Sequence, residues 1–272
     1  MRTRVITIAT VVAIMLFVAA TVGAITYGEP DGNGHPNVGA LFFKRDGVMR
    51  FRCSGTLIAP AVFLTASHCT VPLEQQGITQ FWVTFDSTFD RDNGTFIPGT
   101  AHSHPGFGFS GPGGFSDPHD IAVIVLDEPA ADIYPGIELA SLPTAGLFDQ
   151  MAEKNGLKGQ QFTAVGYGAL EPSIGGGPPT FQLTGERRVA VSSFNALNKA
   201  WLRLSQNNAT GDGGTCFGDS GGPNFLGAAG SETQIIAGIT VTGDAMCLAT
   251  NVIYRLDTTA ARAFLSQFVE LP

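Results

Sequence analysis

The sequence predicts an all-β fold, and three observations support this prediction. The 272 residues include 35 glycines and 16 prolines, which interrupt the chain with frequent turns. Between these turns lie short runs rich in Val, Ile, Phe and Thr, the residue types enriched in β-strands. Long stretches with helical periodicity are few. A chain of this length can form one large β domain or two barrels of roughly 100 residues or more each.

The first 24 residues predict an export signal. Arg2 and Arg4 precede an apolar run at 5–20, and the small residues at 22–24 are typical of a cleavage site. The apolar run is slightly shorter than the ~20 residues that a membrane-spanning helix needs, so we favour cleavage over the alternative of an uncleaved anchor. We therefore expect a secreted protein with no stable membrane association after signal removal.

The net charge and the cysteines of the chain limit the kinds of partner and metal site that it can have. Removal of the signal leaves 248 residues and changes the formal net charge from −8 to −10, which argues against a nucleic-acid partner. The four cysteines of an exported chain predict disulfides, and four cysteines allow three pairings among which the spacing does not choose. The C-x2-C spacing of common zinc sites is absent.

Local patterns assign strands along most of the chain. The clearest apolar runs bounded by turn residues cover residues 38–44, 55–58, 81–85, 121–126 and 162–168. One helix is predicted at 258–269, with Asp257 as its N-cap. Its apolar face follows the i, i+3, i+4, i+7 spacing of an amphipathic helix. The residues on that face are Ala261, Phe264, Leu265 and Phe268.

Residues 96–120 are predicted to form a long irregular loop. They are rich in glycine, proline and aromatic residues, and they contain His102, His104 and His119. A metal site formed by these histidines is the weaker alternative, because no cysteine or regular H-x3-H spacing accompanies them. The acidic turn at 86–92 has oxygen ligands for a cation, although solvated carboxylates explain it more simply.

The stretch 218–223, with the sequence GDSGGP, contains the strongest candidate for a nucleophile. Its glycines allow the sharp backbone turn that exposes Ser220, but a serine hydroxyl also needs a base and a group that orients the base. His68 follows an apolar run and precedes Cys69, and Asp120 directly precedes the predicted strand at 121–126. The candidate residues therefore occur in the order His, Asp, Ser.

With this order and these motifs, the chain resembles the trypsin/chymotrypsin-like serine proteases from about residue 25 to its end. The resemblance implies two six-stranded antiparallel Greek-key β-barrels and a C-terminal α-helix. We expect the N-terminal barrel at 25–142, the C-terminal barrel at 143–257 and the helix segment at 258–272. From the resemblance we also expect a monomer that acts on a protein or peptide substrate without a cofactor or a metal.

The resemblance implies a role for each candidate residue. His68 would act as the general base, Asp120 would orient it, and Ser220 would attack the scissile carbonyl. The backbone N–H groups of Gly218 and Ser220 would form the oxyanion hole. The implied disulfides join Cys53 to Cys69, beside the histidine, and Cys216 to Cys247, beside the substrate pocket.

The same resemblance implies a substrate pocket and an unusual partner for the N-terminus. The pocket residues would be Gly214, Thr215, Val241, Thr242 and Gly243. An enzyme specific for Arg or Lys would have an aspartate in place of the glycine at the pocket base, so we expect an apolar or small-to-medium P1 residue. A preference for acidic P1 residues is an alternative. Cleavage after residue 24 would free the amine of Ile25, which we expect to pair with Asp219.

Two other classes of protein have to be weighed against an endopeptidase. A catalytically silent homologue would use the same scaffold to bind a partner, but such proteins usually lack one of the three catalytic residues, and all three are present here. A structural secreted β protein would explain the signal and the disulfides but not the catalytic motifs.

Overall fold

The computed structural model describes residues 25–108 and 116–272 of the chain. The first barrel is closed by six antiparallel strands in the order β2-β3-β4-β7-β6-β5. The strands in the N-terminal half of the chain are β1 (Glu29–Pro30), β2 (Val38–Arg45), β3 (Val48–Ala59), β4 (Val62–Thr65), β5 (Gln80–Thr84), β6 (Ile97–Ser103) and β7 (Ala122–Leu126).

The second barrel has the strand order β9-β10-β13-β12-β11-β8, and pairing of β8 with β9 closes it. Strand β1 adds to its outer edge at β9. The strands of this half are β8 (Gln161–Gly166), β9 (Arg188–Leu197), β10 (Trp201–Ser205), β11 (Pro223–Leu226), β12 (Ile236–Gly243) and β13 (Thr250–Arg255). Two closed six-stranded antiparallel barrels followed by a helix confirm the predicted fold class.

Four α-helices connect or flank the barrels, and a 3-10 turn covers Asn208–Thr210. The helices are α1 (Ser67–Glu74), α2 (Ala130–Ile133), α3 (Leu147–Glu153) and α4 (Thr259–Leu265). The first three, of four to eight residues, were not predicted, because their sequences show no clear apolar periodicity. The apolar spacing that predicted α4 continues beyond that helix to Phe268.

The C-terminal helix differs from the prediction at both ends. It ends at Leu265, and its N-cap is Thr258, whose hydroxyl accepts a hydrogen bond from the N–H of Ala261 at 3.2 Å. The predicted N-cap, Asp257, is buried and instead accepts hydrogen bonds from the guanidinium of Arg255. The buried guanidinium recruits this carboxylate, which leaves the capping role to the next hydroxyl along the chain.

Apolar side chains of both barrels join in one large core cluster, which includes Phe42, Phe63 and Tyr254. A fully buried arginine also links the barrels. Arg187 of the second barrel donates to the carbonyl oxygens of Val38 and Phe85 in the first barrel at 3.2 and 3.0 Å. Among the described residues, no helix is long and apolar enough to cross a membrane.

Candidate active site

The pairing of two strands brings His68 next to Asp120. Strands β4 and β7 are antiparallel neighbours with Thr65 opposite Ala122, so the residues just beyond this end of the pair lie side by side. Asp120 is fully buried and accepts two hydrogen bonds from His68. The backbone N–H of His68 lies 2.9 Å from one carboxylate oxygen, and the ring Nδ1 lies 2.8 Å from the other. This double contact fixes both the position and the orientation of the imidazole.

Helix α1 begins with His68 in its first turn, and contacts from β3 hold that turn in place. The guanidinium of Arg52 donates to the carbonyl oxygens of His68 and Cys69 at 2.9 and 3.1 Å. Cys69 also forms a disulfide with Cys53 of the same strand, which is the first of the two implied pairings. His68 is therefore held against the barrel wall by its backbone carbonyl, by the adjacent Cys69 and by Asp120.

Ser220 lies on the turn that precedes β11. Its carbonyl oxygen accepts from the N–H of Ser54 at 3.0 Å, so the turn is joined to the first barrel. The following residue, Gly221, has φ +76°, and a Cβ there would lie 2.1 Å from the hydroxyl oxygen of Thr65. Only glycine fits this close approach, which brings the turn up to the end of β4, near His68. Among the described residues, the His68 ring forms a hydrogen bond only with Asp120, and none joins it to the Ser220 hydroxyl. Hydrogen bonds between a catalytic base and its nucleophile are often long without substrate and tighten when substrate binds.

Two backbone N–H groups around Ser220 are oriented away from the protein's own acceptors. The carbonyl of Phe217 accepts from Ala169 N at 2.8 Å, and that of Asp219 accepts from Gly222 N at 2.8 Å. In a trans peptide the N–H points opposite to the carbonyl, so the N–H groups of Gly218 and Ser220 face the other way. Neither has a hydrogen-bond partner within the described residues. Gly218 adopts φ +103°, which suits glycine alone.

Comparison with known proteins decides the family. The family model for Trypsin matches residues 26–261. The chain belongs to the trypsin family. It is a serine endopeptidase by that membership.

Glandular kallikrein of Sus scrofa is 28% identical over 212 residues, which cover 72% of this chain and 77% of the kallikrein. The solved structure of HL collagenase superimposes with a TM-score of 0.64 over 91% of this chain and 100% of the collagenase. The two sequences are 15% identical, so this second likeness concerns the fold.

The trypsin-family chain carries a buried carboxylate next to Ser220. Asp219 accepts from the N–H groups of Gly168 and Cys216 at 2.7 and 2.9 Å, and within the described residues no cationic side chain contacts it. Burial raises its pKa to about 7, and the two N–H donors offset only part of that effect. A Cβ at Gly168 would lie 2.3 Å from this carboxylate, which explains the glycine there.

Four of the five predicted pocket residues line a cavity of about 150 Å³ together with Ser220. These four are Thr215, Val241, Thr242 and Gly243. The fifth, Gly214, lies behind the cavity wall against the side chain of Gln206. The disulfide Cys216–Cys247, the second implied pairing, borders the same cavity. A neighbouring cavity is lined by His68 and shares Val241 and Thr242 with the first, so the cavities that His68 and Ser220 line adjoin each other at these two residues.

The N-terminal segment lies against the pocket residues. The N–H of Gly214 donates to the carbonyl of Thr26 at 3.0 Å in an antiparallel bridge. Ile25 is fully buried and has φ +54°, a backbone conformation that β-branched residues rarely adopt. The structure therefore places Thr26 beside Gly214, and the pairing of Ile25 with Asp219 stays a prediction.

Sequence reasoning missed Ser54, which has a direct role in shaping the site. Its hydroxyl donates to the carbonyl oxygen of Gly218 at 3.0 Å and accepts from the N–H of Tyr167 at 3.0 Å. It thereby holds the peptide that follows the predicted oxyanion-hole glycine. No local pattern marks Ser54, because its partners are more than 100 residues away in the sequence.

Potential metal ligands come together at one place in the described part of the chain, at Cys53, His68 and Cys69. Both sulfurs are in a disulfide and cannot act as thiolate ligands. The prediction of an irregular loop at 96–120 was wrong for Ile97–Ser103, which form strand β6 and include His102, packed on Phe268. His104 and His119 stack with ring centroids 4.4 Å apart.

Proposed function

We propose that this protein is a secreted endopeptidase that hydrolyses peptide bonds through His68, Asp120 and Ser220. The observation that carries the proposal is the pair of hydrogen bonds that buried Asp120 accepts from the backbone N–H and the ring Nδ1 of His68, at 2.9 and 2.8 Å. A carboxylate in this position selects the tautomer in which Nδ1 carries the proton and leaves Nε2 free to act as a base.

The proposed reaction proceeds through an acyl-enzyme. Nε2 of His68 removes the proton of the Ser220 hydroxyl as its oxygen attacks the scissile carbonyl carbon. The resulting oxyanion accepts hydrogen bonds from the free N–H groups of Gly218 and Ser220. His68 then gives the proton to the leaving amine, and a water molecule releases the acyl group by the reverse sequence of proton transfers. Asp120 stabilises the imidazolium that forms during both acylation and deacylation.

The pocket supports a P1 residue without a positive charge. Gly214 provides no carboxylate behind the wall. The uncharged part of the cavity wall includes three threonines, three apolar residues and the second disulfide, namely Thr215, Thr240, Thr242, Phe217, Val241, Ala245 and Cys216–Cys247. The one carboxylate on the wall, Asp244, accepts hydrogen bonds from three backbone N–H groups of its own loop. We therefore propose an apolar or small-to-medium P1 residue.

Activation is proposed to follow directly from removal of the signal. Cleavage after Ala24 would convert the amide nitrogen of Ile25 into a charged amine near the pocket base. It would also abolish the constraint on φ of Ile25, since that torsion depends on the preceding carbonyl, and such strain costs about 1–3 kcal/mol. The new amine would give Asp219 the cationic partner that it lacks among the described residues.

We expect the stability of two engineered forms to differ with pH. One form begins at Ile25 and the other at Ala24. In the longer form Asp219 has a pKa of about 7, above the value of 3.8 for the unfolded chain, so the folded state binds more protons between these values and loses stability as the pH rises through them. The longer form therefore loses on the order of 4 kcal/mol between pH 4 and pH 8, a loss that pairing of the carboxylate with an amine would reduce.

Thermal unfolding of both forms from pH 4 to pH 8 measures this difference. The D219N variant of each form is the control, because an amide does not ionise and the two curves should then run parallel. Identical pH profiles for the two unsubstituted forms would show that Asp219 does not pair with the amine.

Mass spectrometry of the secreted protein after fluorophosphonate treatment tests the proposed function. We expect the label on Ser220 and a mature chain that begins at Ile25. An unlabelled chain that begins at Ile25 would instead indicate a silent homologue that binds a partner, and a different N-terminus without label would indicate an unprocessed precursor.

A further inference from the structure

The cavity that adjoins the one beside Ser220 has an arginine on its wall. This second cavity measures about 560 Å³, and it shares Thr242 with the first. Its lining includes His68, Trp201 and Arg203 but, among the described residues, no aspartate or glutamate. The second cavity therefore continues the catalytic cleft into a region with a permanent positive charge.

The sheet register places Arg203 on the same face as Thr242. Across β10, β13 and β12, Arg203 lies opposite Val252, and Val252 lies opposite Thr242. All three side chains line the second cavity, whereas the neighbours Leu202 and Ile253 pack in a core cluster, as alternation along the strands requires. Because adjacent strands are about 4.8 Å apart, the backbone of Arg203 lies roughly 10 Å from that of Thr242.

The guanidinium of Arg203 is not neutralised by the described part of the protein. It forms no hydrogen bond or ion pair with any described residue, and the side chain is exposed. Acidic residues outnumber lysines and arginines in the chain by 23 to 15, so the lack of a carboxylate partner does not follow from composition. The cation is therefore available to an acidic group of a bound molecule.

The direction of a bound substrate follows from the two segments that line the first cavity, which belong to 215–220 and 240–247. In the proposed mechanism the N–H groups of Gly218 and Ser220 hold the scissile carbonyl at the first segment. The amino side of the P1 residue then faces the second segment, and the preceding residues extend past Thr242 into the second cavity. An extended chain advances about 3.3 Å per residue, so P4 lies roughly 10 Å from P1, the distance that separates Arg203 from Thr242.

We propose that Arg203 is a specificity-determining residue that selects an acidic side chain at P4. This inference rests on the proposed function and narrows its substrate class to peptides with Glu or Asp three residues before an uncharged P1 residue. The guanidinium donates charge-assisted hydrogen bonds to the P4 carboxylate. The methylene groups of that side chain pack on Trp201, which lies two residues before Arg203 on the same face of β10 and lines the same cavity.

Peptides with Glu, Gln or Lys at P4 test the inference. All carry the P1 residue that the wild type cleaves best, and all end in a chromogenic amide, so that no residue follows the scissile bond. For the wild type we expect kcat/KM to be about tenfold higher with Glu than with Gln, and lowest with Lys. The preference should vanish in R203Q and reverse in favour of Lys in R203E. R203K should retain part of it, because the charge remains.

Two controls separate recognition of charge from a change in structure. Salt at about 1 M shortens the screening length to about 3 Å, so the Glu-to-Gln ratio of the wild type should fall. The Gln peptide should be cleaved at similar rates by the wild type and R203Q, since its P4 side chain is neutral. R50Q removes another exposed arginine, which lines neither cavity, and should keep the wild-type ratios.

Fluorophosphonate titration of each protein distinguishes the two possible failures. A folded wild type that neither takes the label nor cleaves any peptide would overturn the proposed function. A labelled, active wild type that cleaves the three peptides equally well, or prefers Lys, would overturn the role of Arg203 alone. A Glu preference that persists in R203Q and R203E would overturn that role as well. Because the side chain at 203 is exposed, we expect these variants to fold; should one fail, the others and the salt dependence of the wild type still decide.

Discussion

Replacement of Ser220 by alanine should reduce kcat for peptide hydrolysis by about 10⁶-fold and abolish fluorophosphonate labelling. The alanine lacks the oxygen that forms the acyl-enzyme, while the backbone contacts of the turn, including the 3.0 Å bond from Ser54 N to the carbonyl of residue 220, do not depend on the side chain. Activity on a fluorogenic peptide library, normalised by protein concentration, measures the loss.

The matched control for this variant is S266A, at the end of α4. That hydroxyl is exposed and donates to the carbonyl of Ala263 within its own helix, so its removal should leave kcat unchanged. Thermal unfolding should give S220A a midpoint within a few degrees of the wild type. Retention of labelling or of more than a small fraction of kcat in S220A would mean that another residue is the nucleophile.

The D120N variant should lose about 10⁴-fold in kcat while keeping its fold. The carboxylate of Asp120 accepts from both the backbone N–H and the Nδ1 of His68, one at each oxygen. An asparagine amide offers one acceptor oxygen and one NH₂ donor, so one of these two contacts is lost. If the oxygen serves the backbone, the NH₂ group faces Nδ1 and selects the tautomer in which Nε2 carries the proton and cannot act as a base.

Asp117 provides the comparison for this change, since it carries the same functional group three residues away. Its carboxylate accepts from the hydroxyl of Tyr254 at 2.9 Å and does not contact His68. We expect D117N to change kcat by less than about tenfold. Equal losses in D117N and D120N would assign the effect to the loop as a whole and would remove Asp120 from the mechanism.

Local patterns were sufficient to predict an all-β fold and to mark the candidate catalytic residues, whereas the two barrels were predicted from the resemblance to a known family. The strands that carry His68 and Asp120 are short apolar runs with clear ends, and each candidate residue lies just beyond such an end. Their meeting follows from antiparallel pairing of β4 with β7, which the resemblance to a known family supplied. The turn at 218–223 was recognisable because its glycines are next to one another in the sequence.

The residues that sequence reasoning missed act over long separations. Ser54 is 164 residues from Gly218, and the side chain of Gln206 fills a space that exists only because position 214 is a glycine. Neither contact has a periodic signature. The N-cap of α4 was misplaced for a related reason, since the sequence does not show that Asp257 is already bound to Arg255.

The buried arginine between the barrels limits how the enzyme can move. Arg187 donates to backbone carbonyls of the first barrel and also to the carboxylate of Asp31 at 2.8 Å. Opening a cleft between the barrels would break the hydrogen bonds from the guanidinium to the carbonyls of Val38 and Phe85 and expose these buried groups, whereas Asp31 follows β1 and would stay with Arg187. A hinge of this kind is therefore a poor route for substrate entry.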